Sequence, residues 1–198
     1  MVSVEANCDL DLDGIAAAIL PMGRRILWAG SGGLASALAR GSGGDCAPAA
    51  ASARSGPALF CIGSDHGATL AQQAALLAER CAVLFDPGGA TRESIGGALA
   101  AGKHVVLRIP RGAVSMDQVR GLISGVAAAA LVLSGGDTAS LVCRAVGVQR
   151  IELCDEIVAG VPRGVLQGGV FDGVGVATKS GGFGDRDTLI QVADYFHG

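Results

Sequence analysis

The chain has 198 residues and a formal net charge of −3, with 50% of residues hydrophobic but only 4% aromatic. That length suffices for one large domain, 1–198, whose core must come from Ala, Val, Leu and Ile. No run of Lys or Arg offers a nucleic-acid footprint, and the longest apolar run, Val126 to Leu133, falls far short of the roughly 20 residues needed to cross a bilayer.

The amino terminus, M-V-S-V-E-A-N-C-D-L, has neither the basic start nor the apolar centre of a secretion signal. The cysteines (Cys8, Cys46, Cys61, Cys81, Cys143, Cys154) form no C-x-x-C pair, and His66, His104 and His197 lack zinc spacing. These features predict reduced, mostly buried thiols, no His/Cys metal site and a cytoplasmic protein.

In chain order, Asp9 to Gly14 (D-L-D-L-D-G) opens like a calcium loop, but the twelfth position is Leu20 where a bidentate Glu is needed. The reading is instead a helix from Ile15 to Leu20, capped by Asp11 or Asp13 and ended by Pro21. Arg25 to Ala29 reads as a strand entering Gly30-Ser31-Gly32-Gly33, with a helix from Leu34 to Arg40. Gly30-x-Gly32-x-x-Ala35 also fits the dinucleotide fingerprint, although its acidic partner about 20 positions on is missing and Asp65 comes late. An NAD(P)-binding Rossmann-like domain is therefore the alternative reading.

Residues 41–57 are rich in Gly, Ala, Ser and Pro without periodicity, which predicts a mobile surface loop. Strands follow at Ala58–Ile62, Ala82–Phe85, His104–Ile109 and Leu131–Leu133, alternating with helices at Thr69–Arg80, Thr91–Ala101 and Met116–Ala128. Ser64-Asp65-His66 cannot form a hydrolase triad, because three adjacent residues do not converge on one point. This rhythm predicts an α/β fold: a mostly parallel sheet flanked by helices on both faces, with the turns at Gly30-Ser31, Gly63-Ser64, Asp86-Pro87 and Ser134-Gly135 along one edge. After Gly147 the segments shorten: Ile151–Leu153, Ile157–Val158, a turn at Gly160–Gly164 and a hairpin signal at Asp172-Gly173. Antiparallel strands are thus expected in the carboxyl-terminal third, then a strand ending near Thr178 and a closing helix from about Asp187 to Phe196.

Leu131 to Val142 (L-V-L-S-G-G-D-T-A-S-L-V) packs a strand, a glycine turn and a helix start into twelve residues. Its glycines allow close backbone approach, and the first amides of the helix suit an anion such as phosphate, although Asp137 as a simple cap explains it too. A second glycine turn, Lys179-Ser180-Gly181-Gly182-Phe183-Gly184, carries one of two lysines in the chain. The lysine precedes the glycines, so this is not a Walker A loop. A lysine at the mouth of a glycine turn suits phosphate oxygens.

G-S-G-G-L-A-S-A-L-A at 30–39, G-S-D-H-G-A-T-L-A-Q at 63–72, S-G-G-D-T-A at 134–139, G-V-P-R-G at 160–164 and T-K-S-G-G-F-G at 178–184 occur together and in order. This set resembles the C-terminal, nucleotide-binding domain of the four-carbon acid sugar kinases. The resemblance implies an ATP-dependent kinase, a phosphotransferase of carbohydrate metabolism that acts on a terminal hydroxyl of an erythronate-, threonate- or 3-oxo-tetronate-type acid. Family members carry a preceding N-terminal sugar-acid-binding domain of comparable size that this sequence lacks, so a missing domain or partner chain is expected to hold the substrate. A non-catalytic interaction module retaining the fold is a further alternative, and a homo-oligomer stays open.

By this resemblance Ser31, the Gly135–Thr138 turn and the Gly181-Gly182 pair contact ATP. Ser64 joins them less firmly, because its loop reads G-S-D-H where the family more often has a G-S-C-S type run. Gly135, Gly136 and Thr138 amides are expected to cradle phosphates, Asp137 to hold Mg²⁺, Lys179 to meet phosphate oxygens, and the edge near Val158–Pro162 to take the adenine. Asp137 and Lys179 are the catalytic candidates.

Overall fold

The computed structural model describes residues 2–43 and 55–197. The chain forms two compact units, Met1–Ala47 and Pro48–Gly198.

In the first unit, helix α1 (Asp9–Ile19) is followed by a 3-10 turn (Leu20–Arg25) and helix α2 (Gly32–Gly41). Ala16 and Ala37 are buried, and Arg40 pairs with Asp13 across the two helices at 2.6 Å. Helix α1 starts six residues earlier than expected, at Asp9 and not Ile15, because Asp11 caps from inside the first turn: its carboxylate accepts from the Asn7 and Cys8 amides. Those bonds, Asn7's foremost, hold the Asp11 carboxyl below the usual range. The strand expected at Arg25–Ala29 is absent. Arg25 closes the 3-10 turn, residues 26–31 have no regular structure, and Leu27 is 95% exposed. A β-type run becomes a strand only where a neighbouring strand supplies its hydrogen bonds, and none of the described residues does so here. Most of the loop expected at 41–57, residues 44–54, lies outside the described residues.

The second unit is a seven-stranded sheet in the order β2-β3-β1-β4-β7-β6-β5. Its strands are β1 (Ala58–Ile62), β2 (Ala82–Phe85), β3 (His104–Arg108), β4 (Ala130–Ser134), β5 (Arg150–Val158), β6 (Val161–Gln167) and β7 (Gly175–Lys179). Strands β2, β3, β1, β4 and β7 run parallel, while β6 is antiparallel to both β5 and β7. The fold class is therefore as read: α/β, mostly parallel, with antiparallel strands in the carboxyl-terminal third.

Five helices cover the sheet: α3 (Gly67–Glu79), α4 (Arg92–Ala100), α5 (Met116–Ile123), α6 (Gly136–Val146) and α7 (Thr188–His197). Pleating sends alternate residues of β1 to opposite faces. Leu59 and Cys61 join a core with Ile95 of α4, Ile123 of α5 and Val142 of α6. Ala58, Phe60 and Ile62 join another with Leu76 of α3 and Leu189 and Phe196 of α7. The helix after β1 thus leaves on one face, and those after its neighbours β3 and β4 leave on the other. Such a change of face opens a crevice beyond the carboxyl ends of the strands, where open α/β sheets bind ligands.

Several boundaries differ from the sequence reading. Helix α5 stops at Ile123, not Ala128, because Ser124 is extended. The segments expected separately at Ile151–Leu153 and Ile157–Val158 are one strand, β5, with register shifts after Leu153 and Glu156. Only the start of Gly160–Gly164 is a turn: the rest belongs to β6, where an added Cβ on Gly164 would come within 2.9 Å of Ile151 Cγ2 and collide with the Glu152 carbonyl. Close strand approach, not chain reversal, explains that glycine. Of the five described cysteines only Cys61 is buried, its thiol pushed up to about 12 by desolvation, while Cys8 and Cys81 are exposed.

Candidate functional site

A cavity of about 360 Å³ lies at the crevice, lined by Gly63–Asp65 after β1, Ile109–Gly112 after β3 and Gly135–Thr138 after β4. The strands fix these segments in register, with Ile62 opposite Ser134 and Ser134 opposite Lys179. Gly63 donates to the Ser134 carbonyl at 3.3 Å, and Gly135 to the Lys179 carbonyl at 2.9 Å.

Gly135 precedes α6 with φ +103, a backbone conformation that L side chains rarely adopt. It offers no side-chain cap, and the amides of Gly136, Asp137 and Thr138 donate to no acceptor among the described residues. Free first-turn amides and the helix dipole together give the cavity wall a positive character. Asp137 meets Arg111 at 3.0 Å, both side chains mostly exposed. Asp65 also lines the cavity and lies 3.5 Å from Arg108. Thr138 and Ser134 are buried, and the Ser134 hydroxyl has no partner among the described residues.

The two glycine turns meet at Ser64. A Cβ on Gly135 would lie 3.7 Å from Ser64 Cβ, and one on Gly181 would lie 2.9 Å from it and collide with the hydroxyl. A Cβ on Gly182 would lie 3.4 Å from His66 Nε2. His66 donates its amide to Ser64 Oγ and caps α3 by accepting the Ala68 amide at Nδ1. Ser64, Gly135, Gly136, Asp137, Thr138, Gly181 and Gly182 are therefore neighbours around one sheet edge. Ser31 belongs to the first unit. It precedes α2 in the first unit with no strand before it, so the turn expected at Gly30-Ser31 does not follow a sheet strand, and the dinucleotide fingerprint lacks the strand it requires.

Lys179 is placed otherwise than expected. It is 3% exposed, and its ammonium donates to the carbonyls of Ser180 (2.8 Å), Phe183 (3.0 Å) and Gly181 (3.3 Å) and to Thr69 Oγ1 (3.3 Å). The side chain points into the turn it precedes, where four neutral oxygens accept from its ammonium. Burial lowers its pKa. Buried Gln72 of α3 grips the same segment, donating to the carbonyls of Phe183 and Asp185. The Phe183 ring, 54% exposed, covers Gly160, where a Cβ would come within 2.6 Å of Cε1.

Sequence reasoning passed over Arg111, and weighed Asp65 and His66 only in a rejected triad, with Asp65 also a late partner of the dinucleotide fingerprint. The available signal was position: each directly follows the carboxyl end of a parallel strand. No group of three or more His, Cys, Asp or Glu side chains could hold a metal among the described residues, and no helix there is long and apolar enough to cross a membrane.

Residues 111–189 match the family model described as "Nucleotide-binding C-terminal domain". The chain is 36% identical to a D-threonate kinase of Bordetella bronchiseptica over 98% of its own length and 52% of the relative's. It is 32% identical to a D-threonate kinase of Cupriavidus necator over 95% and 52%. It thus spans about half the length of the curated relatives it matches. Among solved structures, a Bordetella bronchiseptica domain of unknown function, a domain-swapped dimer with bound citrate, aligns at TM-score 0.56 and 34% identity over 97% of this chain and 50% of that one. A Haemophilus influenzae protein at 20% identity and TM-score 0.65, covering 98% of this chain and 53% of that one, shares the fold.

Proposed function

Because the chain belongs to the four-carbon acid sugar kinase family as its nucleotide-binding domain, we propose that it binds ATP at the carboxyl edge of β1, β4 and β7 and presents the γ-phosphate to a threonate- or erythronate-type acid held by a separate domain. One observation carries this reading: the turns at Gly135 and Gly181, more than forty residues apart in the chain, close on Ser64 beside the unoccupied amides of α6. Backbone donors converging from two turns and a helix start form an anion site that needs no side-chain charge.

The amides of Gly136 to Thr138 hold phosphate oxygens, and Ser64 separates the two glycine turns at the distance both require. Arg111 is the cation able to reach the anion. Apolar Phe183 over Gly160 offers the base a flat surface. Mg²⁺ fits the donors present: Mg²⁺ is commonly held by one or two carboxylates together with phosphates, and Asp137 and Asp65 both line the cavity. When bound, the ion neutralises phosphate charge; Asp137 would be its main protein ligand. The acid substrate would be positioned by groups outside the cavity, and closure of that second lobe would exclude water.

Calorimetry of the 198-residue chain with ATP and Mg²⁺ tests this. Weak ATP binding, tighter than NAD and lost in Asp137→Ala, supports the reading. No binding of ATP, or equal binding of NAD, overturns it.

A further inference from the structure

We propose that Lys179 is a positioning residue for the phosphate site: it never touches the ligand, but by holding three carbonyls inward it turns the amides of Gly181, Gly182 and Gly184 outward as donors. The inference rests on the nucleotide reading and assigns a role to the one lysine at the site.

The argument is geometric. The Ser180, Gly181 and Phe183 carbonyls all accept from the Lys179 ammonium. Every described peptide bond is trans, and in a planar trans peptide the N–H points opposite to the C=O. Each carbonyl drawn to the ammonium therefore sends the next residue's amide away from it, which fixes the Gly181, Gly182 and Gly184 N–H groups. None of these three amides donates to a protein acceptor among the described residues. Thr69 tightens the same arrangement by donating to the Gly181 carbonyl at 2.6 Å.

Charge supplies the second strand of the argument. A buried ammonium normally sits against a carboxylate, yet the four acceptors around Lys179 are neutral oxygens, and no ion pair involves it among the described residues. An anion on the outer side of the turn would provide the missing counter-charge, one peptide layer from the ammonium. The same charge thus organises the donors and favours what they bind.

The test compares wild type, Lys179→Met, Lys179→Arg and Thr69→Val for ATP affinity with Mg²⁺, melting temperature and amide NMR shifts. Wild type is expected to bind with shifts at Gly181, Gly182 and Gly184 as well as at Gly136 and Thr138. Lys179→Met should bind at least tenfold more weakly and, at saturation, keep only the Gly136 and Thr138 shifts; Lys179→Arg should recover part of the affinity. Thr69→Val keeps the charge and loosens one carbonyl, so a several-fold loss of affinity at near-normal melting temperature is expected, and this reads out even where Lys179→Met fails to fold. Wild-type binding with unchanged affinity in the folded variants overturns the role of Lys179 alone. Absence of wild-type binding overturns the nucleotide reading and this inference with it.

Discussion

Alanine at Gly63 should loosen the sheet edge where the cavity is built. The residue is stitched on both sides: its amide donates to the Ser134 carbonyl, and Ile62 beside it accepts from Ile109. A Cβ there would stand 2.5 Å from the Ile109 carbonyl oxygen and collide with the Thr138 hydroxyl. A hydroxyl can rotate away, but a main-chain carbonyl between bonded strands cannot, so the strain must separate the segment after β3 from β1 or push α6 outward. Overpacking of this kind costs about 1–3 kcal/mol. At this chain length each kcal/mol lowers the melting temperature by about 2–4 °C. Urea titration gives the first number and calorimetry with ATP gives a second, since the displaced parts line the cavity. Both stability and ATP affinity should fall together. A Gly63→Ala protein with wild-type midpoint and wild-type affinity would refute the claim that this glycine exists to let β1, β3 and α6 approach.

Ser134→Ala should be neutral or stabilising by about 1 kcal/mol, because the hydroxyl it removes is buried without a partner among the described residues; a clear loss in urea midpoint would count against that. Gly147→Ala should cost about 1–2 kcal/mol by the same assay, since the residue ends α6 at φ +78 and ψ 23. His104 accepts the Ala58 amide at Nδ1, and burial first, then nearby His197, hold its pKa below the usual histidine value. Asp194 acts in the opposite direction and Arg80 with the burial effect. The unfolded chain therefore binds the proton more readily. Stability contributed by neutral His104 is present above about pH 6.5 and declines as pH falls below it, by at most about 1.4 kcal/mol per pH unit. Urea midpoints at pH 7.5 and 5.5 should differ less in His104→Gln than in wild type.

The central parallel strands β1 and β4 were legible because each is buried along its whole length and reads as an almost unbroken apolar run. Ala58–Ile62, with all five residues buried, shows this best. Arg25–Ala29 has a similar local appearance but lacks a partner among the described residues, and pairing is a property of distant residues that no local window contains. Gly160–Gly164 misled in the opposite direction: Pro162 and two glycines resemble a turn, while the backbone of β5 beside Gly164 supplies another use for a missing side chain. For the site, the glycine turns at Gly135 and Gly181 were visible in the sequence. The direction in which Lys179 points was not, because it depends on Thr69 and on carbonyls curled around it, and a sequence lists side chains without saying which way main-chain dipoles face.

Strand β7 is the last to emerge in the chain, yet it sits inside the sheet between β4 and β6. A polypeptide that stops before residue 175 would leave two bare strand edges facing each other and would have no turn at 180–183 to close on Ser64. Pairing of β7 between β4 and β6 is thus the step that joins the antiparallel strands to the parallel ones and brings the second glycine turn to the first.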